Sequence, residues 1–304
     1  MHWHVSGRIE WPTLTLIICV YLAFAVATTW LADQSLTASI LMTSVLIAFF
    51  SSLQHEVIHG HPTKDQRLND LLVFPALNLA IPYARFRDTH IAHHKDSRLT
   101  DPFDDPESNY LDASVWRKLP RLIRFVLAAN NTLLGRLIIG PAVAQVMFIA
   151  SDVRAFREGD LKVVTGWLWH IPAAILVILW LKVAGAMPLW AYGLAVYAGL
   201  SFLKIRTFAE HQAHVLSRGR SVIIEDRGFL AFLFLNNNLH AVHHMHPKLP
   251  WYALPSRYFE RRAHYLRHNG GYRFGSYADV FRRYFLSSKD PVPHPLWSRD
   301  EPPA

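Results

Sequence analysis

The sequence predicts an all-α membrane protein in which two transmembrane hairpins, four spans in total, lie under a helical cap on the cytoplasmic side. Three observations favour this fold. Hydrophobic residues make up 51% of the 304-residue chain, which is high for a soluble protein. The apolar residues form runs of membrane-spanning length, and histidine and basic residues cluster between and after those runs. Because no repeat, low-complexity tract or linker interrupts the chain, we expect residues 1–304 to form a single domain.

The apolar runs pair into two predicted hairpins. A helix needs about 20 predominantly apolar residues to cross the hydrocarbon core. Residues 12–31 and 36–53 follow one another after a very short link, and residues 164–183 and 188–203 form the second pair. The first run is too long for a signal-peptide core and a second span follows at once, so we expect a membrane-embedded hairpin.

Two further apolar stretches are predicted to lie in the membrane interface. Residues 122–150 are apolar but broken by Arg124, Asn130, Asn131 and Arg136. Charges at the bilayer centre are costly, so we expect one or two interfacial helices there, with a fifth span as the alternative. Residues 71–82 are too short to cross and are also expected at the interface.

The distribution of lysine and arginine predicts the orientation. Both turns within the hairpins carry almost no charge, whereas the segments after the second and fourth spans hold most of the basic residues. Cytoplasmic loops are enriched in lysine and arginine, so we expect the N-terminus, the central segment and the C-terminal region in the cytoplasm. The isoelectric point of about 9.7 then indicates contact with anionic lipid, and no nucleic-acid partner is expected.

Histidine is unusually frequent, with eighteen copies, and four clusters fall on the side predicted to be cytoplasmic. Two are pairs, His55 with His59 and His211 with His214, and two are H-x-x-H-H triplets, His90, His93, His94 and His240, His243, His244. Residues three and four apart share a helix face, so each triplet is predicted to direct its rings to one side. Packing offers no reason for this repetition, and so many unpaired imidazoles would need partners. The clusters therefore predict a metal centre.

The stretch HEVIH, from His55 to His59, also matches the H-E-x-x-H signature of zinc proteases. A catalytic zinc ion takes three protein ligands, whereas the first pair and the two triplets already supply eight histidines. That number suits two five- or six-coordinate ions better than one tetrahedral ion. The zinc-protease interpretation is therefore set aside.

The single cysteine and the apolar character of the spans limit which metal and which class of protein fit the sequence. The single cysteine, Cys19, excludes a cysteine-based zinc site and an iron–sulfur cluster. Imidazole accepts several metals, but apolar spans beside a polynuclear nitrogen site suit oxygen activation on an aliphatic C–H bond, so iron is preferred. A metal transporter is disfavoured, because transporters carry ionisable residues within their spans and His170 is the one obvious case here.

The motifs HEVIH, HIAHH and HAVHH, in this order and with these membrane placements, resemble the three histidine boxes of the integral-membrane fatty acid desaturase superfamily. This superfamily includes alkane hydroxylases and carotenoid ketolases. The resemblance covers residues 36–254, and the stretches DPFDDPES and LFLNNNLHAVHHMHPKLPWYALP are most similar to bacterial fatty acid desaturase-like proteins. The third box departs from the family pattern by an extra histidine, His246, directly before Pro247.

The resemblance implies a fold of four membrane helices under a cytosolic cap that carries a di-iron centre. It implies nine ligands: His55, His59, His90, His93, His94, His211, His240, His243 and His244, with His214 as the alternative ninth. It further implies that O2 and two electrons from a separate ferredoxin-like or cytochrome donor are used to place a double bond in a fatty acyl chain, with membrane lipid as a further partner. Hydroxylation or ketolation of an alkyl or carotenoid substrate by the same centre is the alternative.

Other polar residues are expected to support the metal ligands, because a ligating histidine usually gives its second nitrogen to a carboxylate or carbonyl. The carboxylate candidates are Glu56, Asp88, Asp101, Asp104, Asp105, Glu210 and Asp226. Asn237, in the run 236–238, is expected to cap the following helix or hold water, and His61, His214 and His246 are expected beside the ligands. We expect His264 and His268 on an interfacial helix, and no role for the terminal His2, His4 and His294.

Overall fold

The protein is described by a computed structural model that covers residues 9–94 and 98–297. In that part of the chain there are sixteen α-helices and one parallel pair of short strands, β1 (Ile223–Ile224) and β2 (Arg273–Phe274). The chain divides into two compact units, Met1–Arg87 with Met147–Phe202 and Asp88–Val146 with Leu203–Ala304. The helical class is confirmed. The single-domain assignment stays a prediction, and His2 and His4 lie outside the described residues.

The first predicted hairpin is present as α1 (Trp11–Thr28), α2 (Trp30–Gln34) and α3 (Leu36–Ile58). The Ser35 side chain caps α3 by accepting a hydrogen bond from the Ala38 amide. The Ser39 hydroxyl then donates to the Ala27 carbonyl at 2.7 Å, which joins the two arms of the hairpin. Both arms, Trp11–Gln34 and Leu36–Ile58, are long and apolar enough to cross a membrane.

Two short helices follow, α4 (Gln66–Leu72) and α5 (Tyr83–His93). The link between them is packed inside the first unit, where the Tyr192 hydroxyl donates to the Leu77 carbonyl at 2.6 Å. The His170 Nε2 atom lies 3.1 Å from the Leu79 carbonyl oxygen. His170, the one obvious ionisable residue within the predicted spans, therefore contacts the backbone of this link.

The central segment forms α6 (Ala113–Lys118), α7 (Arg121–Ala129), α8 (Leu133–Ile138) and α9 (Gly140–Arg157). Between α7 and α8 the chain turns, and the Thr132 side chain caps α8 by accepting from the Gly135 amide at 3.0 Å. A Cβ at Gly135 would lie 1.9 Å from the Ala129 carbonyl oxygen, so this turn requires glycine. None of these helices is long and apolar enough to cross a membrane, which excludes a fifth span by this criterion.

The second predicted hairpin corresponds to α10 (Leu161–Val183) and α11 (Leu189–Ala209). Within the described residues α10 is the third and last helix that is long and apolar enough to span. Helix α11 occupies the predicted fourth position but is less apolar, because it carries Tyr192 and Tyr197 and ends with Lys204 and Arg206 in its last turns. The structure thus supports three of the four predicted spans.

A buried ion pair joins three helices of the first unit. The Arg85 guanidinium on α5 donates to Asp152 on α9 at 2.8 Å, and the Trp167 indole on α10 donates to the same carboxylate at 2.8 Å. The side chains of Arg85 and Asp152 are only 9% and 5% exposed. Because a buried charge is costly unless it is paired, this contact fixes the relative positions of the three helices.

The second unit ends with α12 (Phe229–Leu233), α13 (His240–Met245), α14 (Leu254–Glu260), α15 (Arg262–His268) and α16 (Tyr277–Tyr284). Helix α13 lies on a core cluster that includes Val242, Tyr258 and Tyr265. The β1 strand holds the residues just before α13, because the Ile224 amide donates to the Asn238 carbonyl at 2.8 Å. The second unit therefore presents the third histidine box on a short helix anchored on both sides.

Candidate metal centre

Three of the four histidine clusters lie on helices or at helix ends, as their spacing predicted. His55 is in the last turn of α3 and His59 caps that helix. His90 and His93 are in the last turn of α5, with His94 directly after it, and α13 begins at His240. The fourth cluster is different, because α11 ends at Ala209 and His211 lies in a short bridge to Ser221.

Each H-x-x-H-H triplet divides between two groups of ring nitrogens in the second unit. One group contains His90, His94 and His243; the other contains His93, His211, His240 and His244. Within each group the candidate ligand atoms lie within 4.8 Å of one another. Successive helical residues differ by about 100°, so positions i+3 and i+4 lie on either side of i and about 100° from each other. Members of one triplet can therefore lie on one helix face and still supply different groups.

The Nε2 atoms of the first group converge on His94. Its Nε2 atom lies 3.0 Å from Nε2 of His90 and 3.2 Å from Nε2 of His243. The i, i+4 pair of the second box thus meets the i+3 member of the third box. In the second group, described next, the roles of the two boxes are reversed.

The Nε2 atoms of the second group converge on His211 and His240. His211 Nε2 lies 2.9 Å from Nε2 of His93 and 3.0 Å from Nε2 of His240, and His244 Nε2 lies 3.1 Å from that of His240. Here the i+3 member of the second box meets the i, i+4 pair of the third. His214 belongs to neither group; its Nδ1 atom is 3.0 Å from the Leu216 carbonyl oxygen.

The outward nitrogens of three of these histidines contact oxygen acceptors. His93 Nδ1 lies 2.8 Å from Asp105 Oδ1, His90 Nδ1 lies 3.1 Å from Glu107 Oε1, and His240 Nδ1 lies 3.1 Å from Asn237 Oδ1. An acceptor on Nδ1 holds the proton there and leaves Nε2 as a free lone pair, which is the form that binds a metal. The donor set therefore fits metal ions that accept neutral nitrogen ligands.

Glu210 supports the third box through Asn237. The Asn237 amide donates to Glu210 Oε1 at 3.2 Å while its own oxygen faces His240, and Arg206 Nε is 2.9 Å from the same carboxylate oxygen. Glu210 and Asn237 are 6% and 2% exposed. Burial raises the pKa of Glu210, although the neighbouring Arg206 charge opposes this effect.

The pKa values of the histidines differ with their neighbours. Burial acts to lower the pKa of His93, but the charge of Glu107 and the hydrogen bond that His93 donates to Asp105 outweigh it and raise that pKa to about 9. Burial and the surrounding imidazoles, by contrast, hold the pKa values of His211 and His240 well below the usual range. His211 and His240 are therefore ready to bind metal as neutral rings, whereas His93 must first release a proton.

The His55–His59 pair belongs to the first unit. Their ring centroids are 5.0 Å apart, and His55 is 4% exposed. Beside them, Glu56 lies 3.8 Å from Nε2 of His61, whose Nδ1 is 2.8 Å from the Glu10 carboxylate. Burial opposes the effect of these carboxylates, but they raise the pKa of His61.

Several other predicted supporting residues have different partners. Asp101 accepts hydrogen bonds from the Phe103 and Asp104 amides, Asp104 pairs with Arg98, and Asp226 accepts from the Gly228 and Tyr277 amides. The His246 Nε2 atom lies 3.0 Å from the Tyr265 hydroxyl. In the described residues these side chains stabilise turns and the core of the second unit.

Two contacts were missed from the sequence. Glu107 contacts His90, yet only aspartates were considered in the DPFDDPES stretch. The sequence signal for Glu107 was its position two residues after Asp105. The Glu107 amide donates to Asp105 at 2.9 Å, and this turn brings Glu107 to the histidines. Glu10, which contacts His61, lies some fifty positions away and left no local signal.

One comparison with known proteins identifies a family. A model of the fatty acid desaturase family matches residues 28–276, which is most of the chain and includes all three boxes. No curated protein sequence matches the chain.

Proposed function

Because the chain belongs to the fatty acid desaturase family, we propose that it is a membrane-bound di-iron oxidoreductase that uses O2 to introduce a double bond into a fatty acyl chain. The observation that carries the proposal is the reciprocal division of the two H-x-x-H-H triplets. Each box supplies two nitrogens to one group and one to the other. Two nitrogen-rich groups side by side suit two metal ions rather than one.

The proposed ligands follow from this division. The first iron would be held by His90, His94 and His243, and we propose from the box pattern that His55 and His59 complete its set. The second would be held by His93, His211, His240 and His244. His211 rather than His214 is proposed as the ninth ligand, because His211 Nε2 faces two other Nε2 atoms while His214 is bonded to backbone.

The proposed reaction balances as the loss of one hydrogen from each of two neighbouring methylene groups, with O2, two electrons and two protons giving a carbon–carbon double bond and two waters. Two irons bound at these histidines would supply the oxygen activation. The residues of the chain position them: Asp105, Glu107 and Asn237 hold the Nδ1 protons and so keep the Nε2 atoms available. The buried position of His90, His93, His240 and His243, all 2% exposed, excludes bulk water.

We further propose that the three apolar helices and α11 embed the protein in a membrane, with the centre on the cytoplasmic face. Membrane lipid is then the substrate source, and a separate ferredoxin-like or cytochrome protein is the electron donor. The three long apolar helices support the membrane location, because helices of that length and composition are stable in the hydrocarbon core.

The test is product formation in cells that express the protein, measured by mass spectrometry of hydrolysed lipids. We expect new unsaturated acyl chains from the wild type and none from His93→Ala, while His264→Ala, on the exposed α15 helix, behaves as the wild type. Hydroxylated products would indicate the alternative reaction by the same centre. Unsaturated products from His93→Ala at the wild-type level would contradict the proposal.

A further inference from the structure

The C-terminal segment of the second unit, residues 287–297, lies beyond the family match, which ends at residue 276. It is nevertheless bound into the unit by backbone hydrogen bonds. The Leu111 amide donates to the Val292 carbonyl at 2.9 Å, the His294 amide donates to the Leu111 carbonyl at 2.8 Å, and the Lys289 amide donates to Asn131 O at 3.1 Å. The segment therefore has a defined path that the family resemblance does not explain.

Lys289 is the residue of this segment that reaches the metal centre. Its Nζ donates to the backbone carbonyl of His211 at 2.7 Å and also to the Asp290 carboxylate. Its side chain is only 8% exposed. A buried ammonium group is costly to place unless it is paired; here Asp290 pairs it, and the His211 carbonyl accepts a second hydrogen bond from it.

Asp290 and Tyr110 extend the contact to the Ala213 amide, two residues after His211. The Tyr110 hydroxyl donates to Asp290 Oδ2 at 2.7 Å and accepts a hydrogen bond from the Ala213 amide at 2.8 Å. The Asn131 side chain donates to the Asp290 carbonyl. The His211 carbonyl and the Ala213 amide are thus tied to one network, which we call the Lys289 network: Lys289, Asp290, Tyr110 and Asn131.

His211 needs such support more than its neighbours do. His93 and His240 lie on helices, and their Nδ1 atoms contact Asp105 and Asn237 at 2.8 and 3.1 Å. His211 lies outside any helix; its Nδ1 atom lies 3.4 Å from the Ser221 hydroxyl, which is a long hydrogen bond, and its ring also has a hydrogen bond with the Arg220 backbone. Its ring direction therefore depends on how its backbone is held.

We propose that Lys289 is a positioning residue of the metal centre: it fixes the His211 backbone so that the imidazole stays directed at the second metal site. The inference rests on the proposed function, since it assigns His211 to one of two iron sites. It gives the C-terminal segment a part in the centre, with Asp290 and Tyr110 holding the lysine in place.

The test compares Lys289→Met with Lys289→Arg and with Lys118→Met, an exposed lysine of the same unit. Purified proteins loaded with 57Fe are mixed with a chelator, and iron release and Mössbauer spectra are followed. Loss of a contact that orients a metal ligand typically weakens metal binding about 10- to 100-fold. In Lys289→Met we expect one of the two irons to be released at least about tenfold faster, with a changed signal for that iron alone. Lys289→Arg should restore slow release, and Lys118→Met should match the wild type.

If both irons leave Lys289→Met at the same rates as they leave the wild type, the inference is overturned while the proposed function stays intact. Equal acceleration of both irons would also overturn it, because a general loosening is not positioning of one site. Absence of iron from the wild type would overturn both proposals. If Lys289→Met does not fold, Tyr110→Phe removes only the hydroxyl between Asp290 and Ala213, and unchanged iron release in that variant would reject the Lys289 network.

Discussion

Replacing Asp105 with asparagine tests how the centre holds its ligands. Asp105 is 6% exposed and uses both carboxylate oxygens. Oδ1 is 2.8 Å from His93 Nδ1, and Oδ2 accepts from the Thr100 amide at 2.8 Å. Asparagine has nearly the same shape but only one acceptor oxygen. Its NH2 group must therefore face either the Thr100 amide hydrogen or the His93 Nδ1 proton, and one of the two contacts is lost.

The size of the effect follows from the bond that is lost. A hydrogen bond to a charged group contributes about 1.5–3 kcal/mol, which corresponds to about a 10- to 150-fold change in an equilibrium constant. Because His93 belongs to the second group, we expect that loss to appear as weaker binding of one iron of the pair. Competition with a chelator of known affinity, with iron counted by mass spectrometry, measures it directly.

Asp104→Asn is the matched control for this experiment. Asp104 is the neighbouring residue, its side chain is 54% exposed, and it pairs with Arg98 at the surface. It should bind iron as the wild type does. Iron affinities that are equal in Asp105→Asn and Asp104→Asn would refute the claim that the Asp105–His93 contact orients a ligand.

Three further predictions concern pH and stability. Because the pKa of His93 is raised to about 9 and only the neutral ring binds metal, the apparent affinity for Co2+ should rise with pH up to about 9, as a visible-absorption titration would show; a flat profile contradicts this. Asp152→Ala removes the carboxylate that pairs with the buried Arg85 guanidinium and should lower the free energy of unfolding by about 3–5 kcal/mol. The exposed Glu158→Ala should change it little in thermal melts in detergent. Hydrogen bonds from arginine lower the pKa of Glu225 below 4.5, so its stabilising effect is present above that pH and lost as pH falls through the lower folded value. Glu225→Gln should therefore reduce the melting temperature at pH 7 and reduce it progressively less in acid. An equal reduction of the melting temperature at neutral and at acid pH would argue against this linkage.

The sequence predicted the helices of the centre well, because helix periodicity and the H-x-x-H-H pattern are local. It did not predict that each triplet divides between two groups. That division depends on the angle between positions i+3 and i+4 and on a second helix that presents the complementary pair. His94 Nε2 is close both to His90 in its own box and to His243 in the third box. The spacing within one box cannot predict a contact with another box.

The supporting residues were harder to predict than the ligands, for a similar reason. Asp101 and Asp105 have the same side chain and lie four residues apart, yet Asp101 caps a turn and Asp105 contacts His93. Lys289 has no sequence signal at all, since it meets His211 across 78 positions of the chain. Tertiary packing decides such contacts, whereas composition and local spacing do not.

The predicted fourth span shows what hydropathy alone leaves undecided. Residues 188–203 were predicted to cross, and α11 is helical there, but its tyrosines and its charged end make it less apolar than the other three long helices. A helix can carry such side chains in a membrane when they face protein. Tyr192 does so, because its hydroxyl donates a hydrogen bond to the Leu77 carbonyl. Composition does not report which side of a helix is covered.

The most direct test of the account is the metal content of the detergent-purified protein beside His93→Ala and His243→Ala, one variant for each group. We predict about two irons per chain in the wild type, as in other di-iron proteins, and loss of iron in both variants, each altering a different component of the Mössbauer spectrum. A single zinc ion per chain that remains bound in both variants would contradict the account and return HEVIH to its interpretation as a hydrolase motif.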